Sequence, residues 1–439
     1  MSNYSATVVK LGRIIDHSNA DRLKITFIHG NSVIVGLNAK EGDVGLFYPC
    51  ESQIGLEFAV ANDLIRRKDE NGKAVGGMFD ENRRVRCQSL RGEKSMGFWI
   101  PMDSLAKTLQ RPLEEVLANY PVNTEIENIG SMVISSKYVP RSNKTEMSAG
   151  KQPKLVKRSK SRIIDEQFKF HFDTSHLGKN LHMIKPDSLV AITWKVHGSS
   201  FIVSNCLVKK KLTFIENILQ KFKVNIVDTE YDYVYSSRKV IKNSAFNEDV
   251  GQGYCGEDIW TRVGEELKGS LHKGETLYGE ICGYTKEGKF VQRGYDYGCP
   301  IGQHKIYIYR ITRTNSEGHV TELSWPQVKE RCNQISVEHV PEIYYGKAGD
   351  FVQAAWDFSS DEDWPEDKWN EFFLDYLTKR YVYDQDCQFC NNKVKSEGVV
   401  VRLEGLEIKN FKLKNFAFLK QESSDLDAGI LDMETEQSE

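Results

Sequence analysis

No stretch of the chain approaches the roughly 18 consecutive apolar residues of a membrane span. The opening Met1-Ser2-Asn3-Tyr4 also lacks the basic-then-apolar layout of a secretory signal. These absences argue against a membrane partner and lead to the expectation of a reducing, cytoplasmic setting. Cysteine supplies no scaffold: nine residues, an odd number, are scattered without framework spacing, which argues against disulfides. Cys387-Gln388-Phe389-Cys390 has metal-like spacing, but it provides half the ligands of a structural zinc site and no second pair accompanies it, so it reads as a loop. Net charge is nearly absent as well. Lys and Arg number 59 against 62 Asp and Glu, a formal charge of -3, so any polyanion site has to come from local clustering.

The chain does have enough length for two or three domains, with 40% hydrophobic residues over 439 positions, ample for a packed core. Between Arg141 and Arg162 stand eight basic residues (Arg141, Lys144, Lys151, Lys154, Lys157, Arg158, Lys160, Arg162) against one acid, Glu146. This run reads either as a solvated linker or as a contact for a nucleic-acid backbone. Asp357 to Glu371 and the last sixteen residues are acid-rich.

Residues 1–140 read as a β-rich domain. Ala6 to Val9, Leu23 to Ile28, Ser32 to Gly36, Val44 to Tyr48 and Gly97 to Ile100 have strand composition, with turn residues such as Gly30-Asn31 between them. Five short strands at this spacing suit a small barrel, and an OB-fold is the expected form. Arg83 to Arg91 places four arginines in nine residues, suited to phosphate forks or to the charged outer face of a strand. Leu105 to Leu117 looks helical. Residues 141–164 are taken as a basic linker, 165–423 as a second domain and 424–439 as an acidic tail. In the second domain the alternating Phe168, Phe170 and Phe172 suggest a half-buried strand, and Leu177 to Ile184 a short helix.

Leu189 to Trp194 is a hydrophobic strand that ends on Lys195-Val196-His197-Gly198-Ser199-Ser200, an amine followed by a turn small enough to admit a phosphate-bearing ligand. Downstream come, in order, Leu277-Tyr278-Gly279-Glu280-Ile281, Ile306-Tyr307-Ile308-Tyr309-Arg310, Glu397-Gly398-Val399-Val400-Val401-Arg402 and Phe411-Lys412-Leu413-Lys414-Asn415. Lys412 and Lys414, two apart on a strand, share one face. A lysine attacks phosphorus only when neutral, whereas an unperturbed ammonium has a pKa near about 10.4. Two cations beside Lys195 would disfavour a third charge and would neutralise a triphosphate. Glu397 opens a valine run, a costly place for a carboxylate unless it is paired or binds metal. For both glutamates a structural salt bridge is the bland alternative.

This ordered set resembles the motifs of the covalent nucleotidyltransferases, the polynucleotide ligases and RNA capping enzymes, over residues 165 to 423. His197 matches the form seen in the RNA ligase 2-like branch, which includes mitochondrial RNA-editing ligases. An OB-like domain ahead of the lysine, with about 25 residues after Lys414 and hence no C-terminal accessory domain expected, resembles the RNA ligase 5 family. The resemblance implies an α+β protein: an N-terminal OB-like barrel, then a nucleotidyltransferase domain of antiparallel sheets with flanking helices. It implies ATP-dependent sealing of 3′-hydroxyl and 5′-phosphate RNA ends, in nicked duplex RNA or an RNA-DNA hybrid, through lysyl-AMP and AMP-capped RNA, by a monomer engaged in RNA repair, editing or tRNA healing. DNA ligation, capping guanylyl transfer, or a nucleic-acid-binding protein with a degenerate ligase domain are the alternatives.

By the same resemblance Lys195 is the nucleophile that carries AMP, with Lys412 and Lys414 as catalytic phosphate ligands. His197, Gly198, Arg238, Glu280, Tyr309 and Glu397 complete the nucleotide site. Glu397 and Glu280 hold Mg2+ or Mn2+, and Tyr309, with Tyr307 as the alternate, stacks on adenine. The chain departs from the pattern at Trp194, where a glutamate is expected, at Ser200, where an asparagine is frequent, and at Arg310, which replaces an aspartate. Deleting residues 1–140 is expected to leave lysine adenylylation intact but to weaken sealing of nicked RNA.

Overall fold

The computed structural model describes residues 3–68, 74–140, 162–222, 224, 226–243, 257–353 and 366–429. The basic residues from Arg141 to Lys160 lie outside this set. Arg162 lies inside it and is structural: its guanidinium pairs with Asp232 at 2.9 Å and with Glu230.

Two sheets of the α+β second domain carry the lysine motif between them. One has five strands in the order Ser175–His176, Lys409–Lys414, Gly398–Leu403, Leu189–Trp194, Glu342–Lys347. The other runs Thr229–Ser236, Ser199–Lys209, Glu275–Gly283, His304–Thr314, Val320–Glu322, and Glu338–His339 joins it beside His304–Thr314. Except for two short parallel pairings, the neighbours are antiparallel. Period-two alternation gives each strand an apolar face: Phe411 and Leu413 enter one core with Val190, Ile192, Val399 and Val401, leaving Lys412 and Lys414 on the opposite face. A second core forms where Phe201, Leu277 and Ile308 pack with Trp260 and Trp325 from the helices Ile259–Glu266 and Trp325–Gln334.

The N-terminal strands fall where composition placed them, but in separate sheets. Phe98–Pro101, Val44–Tyr48, Ala6–Lys10 and Glu125–Ile126 form one, and Ile14–Asp16, Leu23–Ile28 and Asn31–Gly36 another. Side chains bridge the second sheet to the hairpin Cys87–Leu90/Glu93–Met96, with Ile34 N donating to Ser95 Oγ at 3.2 Å and Ser32 Oγ to Lys94 O at 3.0 Å. Among the described residues no closed circuit of backbone-paired strands results.

Two expectations yield to local chemistry. The helix foreseen over Leu105 to Leu117 is two, Asp103–Leu109 and Leu113–Asn119, because Gln110 takes a left-handed φ of 53° and Pro112 cannot supply an interior N–H. Phe168 to Phe172 forms no strand, since among the described residues no strand pairs with it, and Phe170 and Phe172 are exposed.

Within the arginine cluster Arg84 turns inward, while Arg91 is exposed. Arg84, 2% exposed, forks onto Glu51 at 2.8 Å and reaches Asp427 at 3.1 Å, and Arg86 joins Asp427 at 3.2 Å. Asp427 ends the helix Phe416–Asp427, so this helix crosses the boundary assigned to the acidic tail and fastens the two domains. Ser423 of the same helix donates to Glu51 and accepts from Cys87 N. Elsewhere Lys179 pairs with Glu125 at 3.1 Å, and Asn3 donates to Thr174 O at 3.0 Å. Removing one member of a buried ion pair strands the other, at a cost of about 3–5 kcal/mol. Arg84→Ala is therefore expected to lower unfolding stability by about that amount in urea titrations; a loss within experimental error would show that the cluster contributes nothing.

Candidate active site

The antiparallel register brings three distant charges together. Trp194 pairs with Val399 and Gly398 with Lys414. Lys195, one residue past its strand, donates its N–H to Gly398 O at 2.9 Å, and Asn415 N donates to Glu397 O at 2.9 Å. Lys195, Glu397 and Lys414 thus stand in a row at one end of the sheet. Lys195 Nζ lies 2.8 Å from Glu397 Oε1 and Lys414 Nζ 3.2 Å from the same oxygen, while His197 Nδ1 is 3.7 Å from Oε2. Gly398 is required there: its φ is +132°, and a Cβ would sit 2.1 Å from Leu413 O. Gly198 meets a similar limit, since a Cβ would come within 2.6 Å of Ile281 O.

Burial opposes a charge on Glu397, but Lys195 and Lys414 outweigh it and hold the carboxyl well below the usual range. Lys195 is therefore salt-bridged rather than surrounded by cations alone, which differs from the sequence expectation. The Lys412 amine is driven down to about 8, by desolvation and then by Lys414 and Lys195.

These groups border a cavity of about 260 Å³. Lys195, Glu397, Lys412, Lys414 and Arg238 line it, as do Glu280, Tyr309 and Ser200 on the second sheet. Arg238 pairs with Asp173, whose carboxyl burial pushes up but which Arg238 and Lys412 together hold low. Trp194 also borders the cavity and packs edge-on to Tyr381 and Phe389 at 6.1 Å.

Tyr307 and Tyr309 do not share a face, although residues two apart normally do. The pairing skips a residue between Ile308↔Gly279 and Arg310↔Tyr278, and this bulge at Tyr309 turns its ring to the cavity while Tyr307 stays in the core, 4% exposed. His197 and Gly198, expected in the nucleotide site, are absent from the cavity wall. The His197 ring is held edge-on by Tyr295 and Phe418, at 4.8 and 4.9 Å. Two residues unnoticed in the sequence fix the turn: Tyr297 accepts from His197 N at 2.6 Å, and Gln292 donates to Gly198 O at 2.9 Å. Both lie in an aperiodic loop, where no pattern separates them from their neighbours.

Glu280 and Glu397 line the cavity, as do the carboxylates of Glu51, Asp173 and Glu422. Among the described residues no three metal-ligating side chains converge, so a cation would keep water and phosphate oxygens in its shell, a donor set that suits Mg2+ or Mn2+. The eight described cysteines are free, and a hydrogen bond from the Cys390 side chain draws the Cys387 thiol down to about 7. Asn3, Tyr4, Lys137 and Tyr138, from the N-terminal residues, line the same cavity.

No curated protein matches the chain in sequence. Among solved structures, a Naegleria gruberi RNA ligase variant with AMP and Mn aligns at a TM-score of 0.57 and 17% identity, over 95% of this chain and 98% of that one. Another variant of that ligase, with ATP and Mn, gives the same figures. The Naegleria gruberi RNA ligase with PPi aligns at a TM-score of 0.55 and 15% identity, over 96% of this chain and 99% of that one. At such identities the likeness is one of fold. The RNA ligase family model matches residues 188–417, more than half of the chain and every motif from Lys195 to Lys414, and the protein belongs to the RNA ligase family.

Proposed function

We propose that the protein is an ATP-dependent ligase that seals 3′-hydroxyl and 5′-phosphate ends of nicked duplex RNA or an RNA-DNA hybrid through a lysyl-AMP intermediate. The observation that carries this reading is the meeting of Lys195, Glu397 and Lys414 beside a cavity bordered by Lys412, Arg238, Glu280 and Tyr309. ATP and Mn bound to the Naegleria gruberi enzyme of the same fold support the nucleotide and metal.

In the first step Lys195 Nζ, having released a proton to solvent, attacks the α-phosphorus of ATP. An N–P bond forms, the bond to the bridging oxygen breaks, and pyrophosphate leaves with the electron pair. The Lys195–Glu397 pair has to open for this, and Lys414 and His197 remain to hold the carboxylate. Lys412, Lys414 and Arg238 bind phosphate oxygens, Glu280 the ribose, and Tyr309 the flat face of adenine. Glu397 and Glu280 would hold a divalent cation, which would supply neutralisation of charge on the α-phosphate. An oxygen of the RNA 5′-phosphate then attacks the adenylyl phosphorus, which frees Lys195. Finally the RNA 3′-hydroxyl attacks the capped 5′-phosphate and AMP leaves. The N-terminal domain, read as OB-like, grips the strands by shape and phosphate contacts.

Incubation with α-labelled ATP and a divalent cation is expected to label the protein, and Lys195→Ala to abolish the label. Preference for GTP would indicate capping chemistry, and absence of label with either nucleotide would leave a binding role only. A sealing assay at nicks of all four RNA and DNA strand combinations is expected to favour RNA. Equal sealing of all-DNA nicks would refute that preference.

Lys412 also gives a pH dependence. A lysine with pKa lowered to about 8 is charged below that pH and neutral above it. Affinity for an unreactive ATP analogue is expected to weaken as pH rises through about 8, and Lys412→Arg, which stays charged, to abolish the change. The same loss of affinity in the arginine variant would show that another group titrates.

A further inference from the structure

A pair of sulfurs stands behind Lys195 and takes no part in the steps above. Cys387 and Cys390 flank the turn at Gln388-Phe389, and a four-residue turn brings its end residues within about 7 Å, the separation that a disulfide spans. The segment is braced around that turn: Cys387 N donates to Val394 O at 2.8 Å, Ser396 N to Gln385 O at 2.9 Å, and Asn391 N to Asp296 Oδ1 at 2.8 Å. The two thiols are hydrogen-bonded to each other and both are partly exposed, so an oxidant in solvent reaches them.

The two sulfurs are not alike. Cys387 Sγ accepts from Cys390 and from the backbone N–H groups of Phe389 and Cys390, and these bonds draw its thiol down to about 7, whereas the same pairing pushes Cys390 up. Near neutral pH Cys387 is therefore in part the thiolate that attacks an oxidant, while Cys390 keeps its proton. Cys50 and Cys87 also touch, but that contact and burial push the Cys50 thiol well up and withhold it as a nucleophile.

Two routes join the pair to the lysine motif. Phe389, between the cysteines, packs edge-on to Trp194 at 6.1 Å, and a cavity of about 10 Å³ is bordered by Trp194, Lys195, Cys387, Phe389 and Glu397. Cys390 Sγ accepts from Tyr297 N, and the hydroxyl of Tyr297 fixes the lysine turn by accepting from His197 N at 2.6 Å. Covalent closure of the pair would draw Cys390 away from Tyr297 and shift Phe389 against Trp194.

We propose that Cys387 and Cys390 are a redox modification site, closed to a disulfide by hydroperoxides, and that closure slows transfer of AMP to Lys195. The Cys387 thiolate attacks one oxygen of hydrogen peroxide. An S–O bond forms, the O–O bond breaks, and hydroxide leaves and takes up the proton that Cys387 released. The Cys390 sulfur then attacks the Cys387 sulfur. The S–S bond forms, the S–O bond breaks, and the oxygen leaves as water with the Cys390 proton. The two sulfurs together give up two electrons, and the peroxide becomes two waters. A dithiol reductant reverses the change by thiol–disulfide exchange.

The test uses the full chain, reduced and then freed of reductant, with and without hydrogen peroxide. Mass mapping after alkylation is expected to show a disulfide joining Cys387 to Cys390 in the treated protein, and Cys390→Ser to stop at a sulfenic acid on Cys387 that dimedone captures. Labelling by α-labelled ATP, whose use as a readout rests on the ligase reading, is expected to slow by about tenfold or more on oxidation, the scale on which small misplacements of reacting groups act. Dithiothreitol is expected to restore it, and Cys387→Ser to label at the reduced native rate before and after peroxide. Free thiols at 387 and 390 while other cysteines oxidise would overturn the proposal, as would a disulfide that leaves labelling unchanged or a slowing that persists in Cys387→Ser. Reversal by dithiothreitol in the native chain keeps the test decisive should a serine variant fail to fold. A reduced native protein that takes no AMP would defeat the ligase reading and the effect on labelling with it, while the mapping alone would still decide whether the pair is oxidised.

Discussion

A single buried carboxylate organises the site. Glu397 is 4% exposed, and an isolated charge at such a depth would be prohibitive. It is tolerable because Lys195, Lys414 and His197 converge on its two oxygens. The convergence is a property of register: one strand ends just before Lys195, the next begins just after Glu397, and the third ends on Lys414. A shift of one residue in either pairing would turn a member of the trio toward the core. Charge compensation and strand pairing therefore specify each other, and the chemistry inherits its geometry from the sheet.

The same strand couples the chemistry to the rest of the molecule. Asn415, next to Lys414, caps the helix Phe416–Asp427 by accepting from Ala417 N at 2.9 Å, and that helix carries Phe418 to the His197 ring and Asp427 to Arg84. Lys94 of the N-terminal domain lies over the rings of Tyr383 and Phe416, at 3.7 and 4.9 Å. Within one short helix the chain passes from Lys414 to the attachment of the N-terminal domain.

Much of this was legible in sequence because it rests on local rules. Alternation placed Lys412 and Lys414 on one face, turn residues bounded the N-terminal strands, and the order of motifs located Lys195, Glu280 and Glu397. The rest depends on contacts between residues far apart in the chain. The arginine run from Arg83 to Arg91 has the composition of a phosphate-binding surface, and only its proximity to Glu51 and Asp427 makes Arg84 a buried tie. Tyr307 and Tyr309 were equivalent under strict alternation, and one bulge separates them. The hold of Tyr297 and Gln292 on the His197-Gly198 turn spans about a hundred residues through a loop with no periodicity. The salt bridge of Lys195 was likewise invisible, since sequence shows which charges are present but not which are within reach.

Peptide mass mapping after incubation with ATP and a divalent cation identifies the side chain that takes up the nucleotide. A single AMP adduct, acid-labile as a phosphoramidate, is expected on the side chain of Lys195. An adduct on Lys412, Lys414 or any other residue, with Lys195 unmodified, would contradict it.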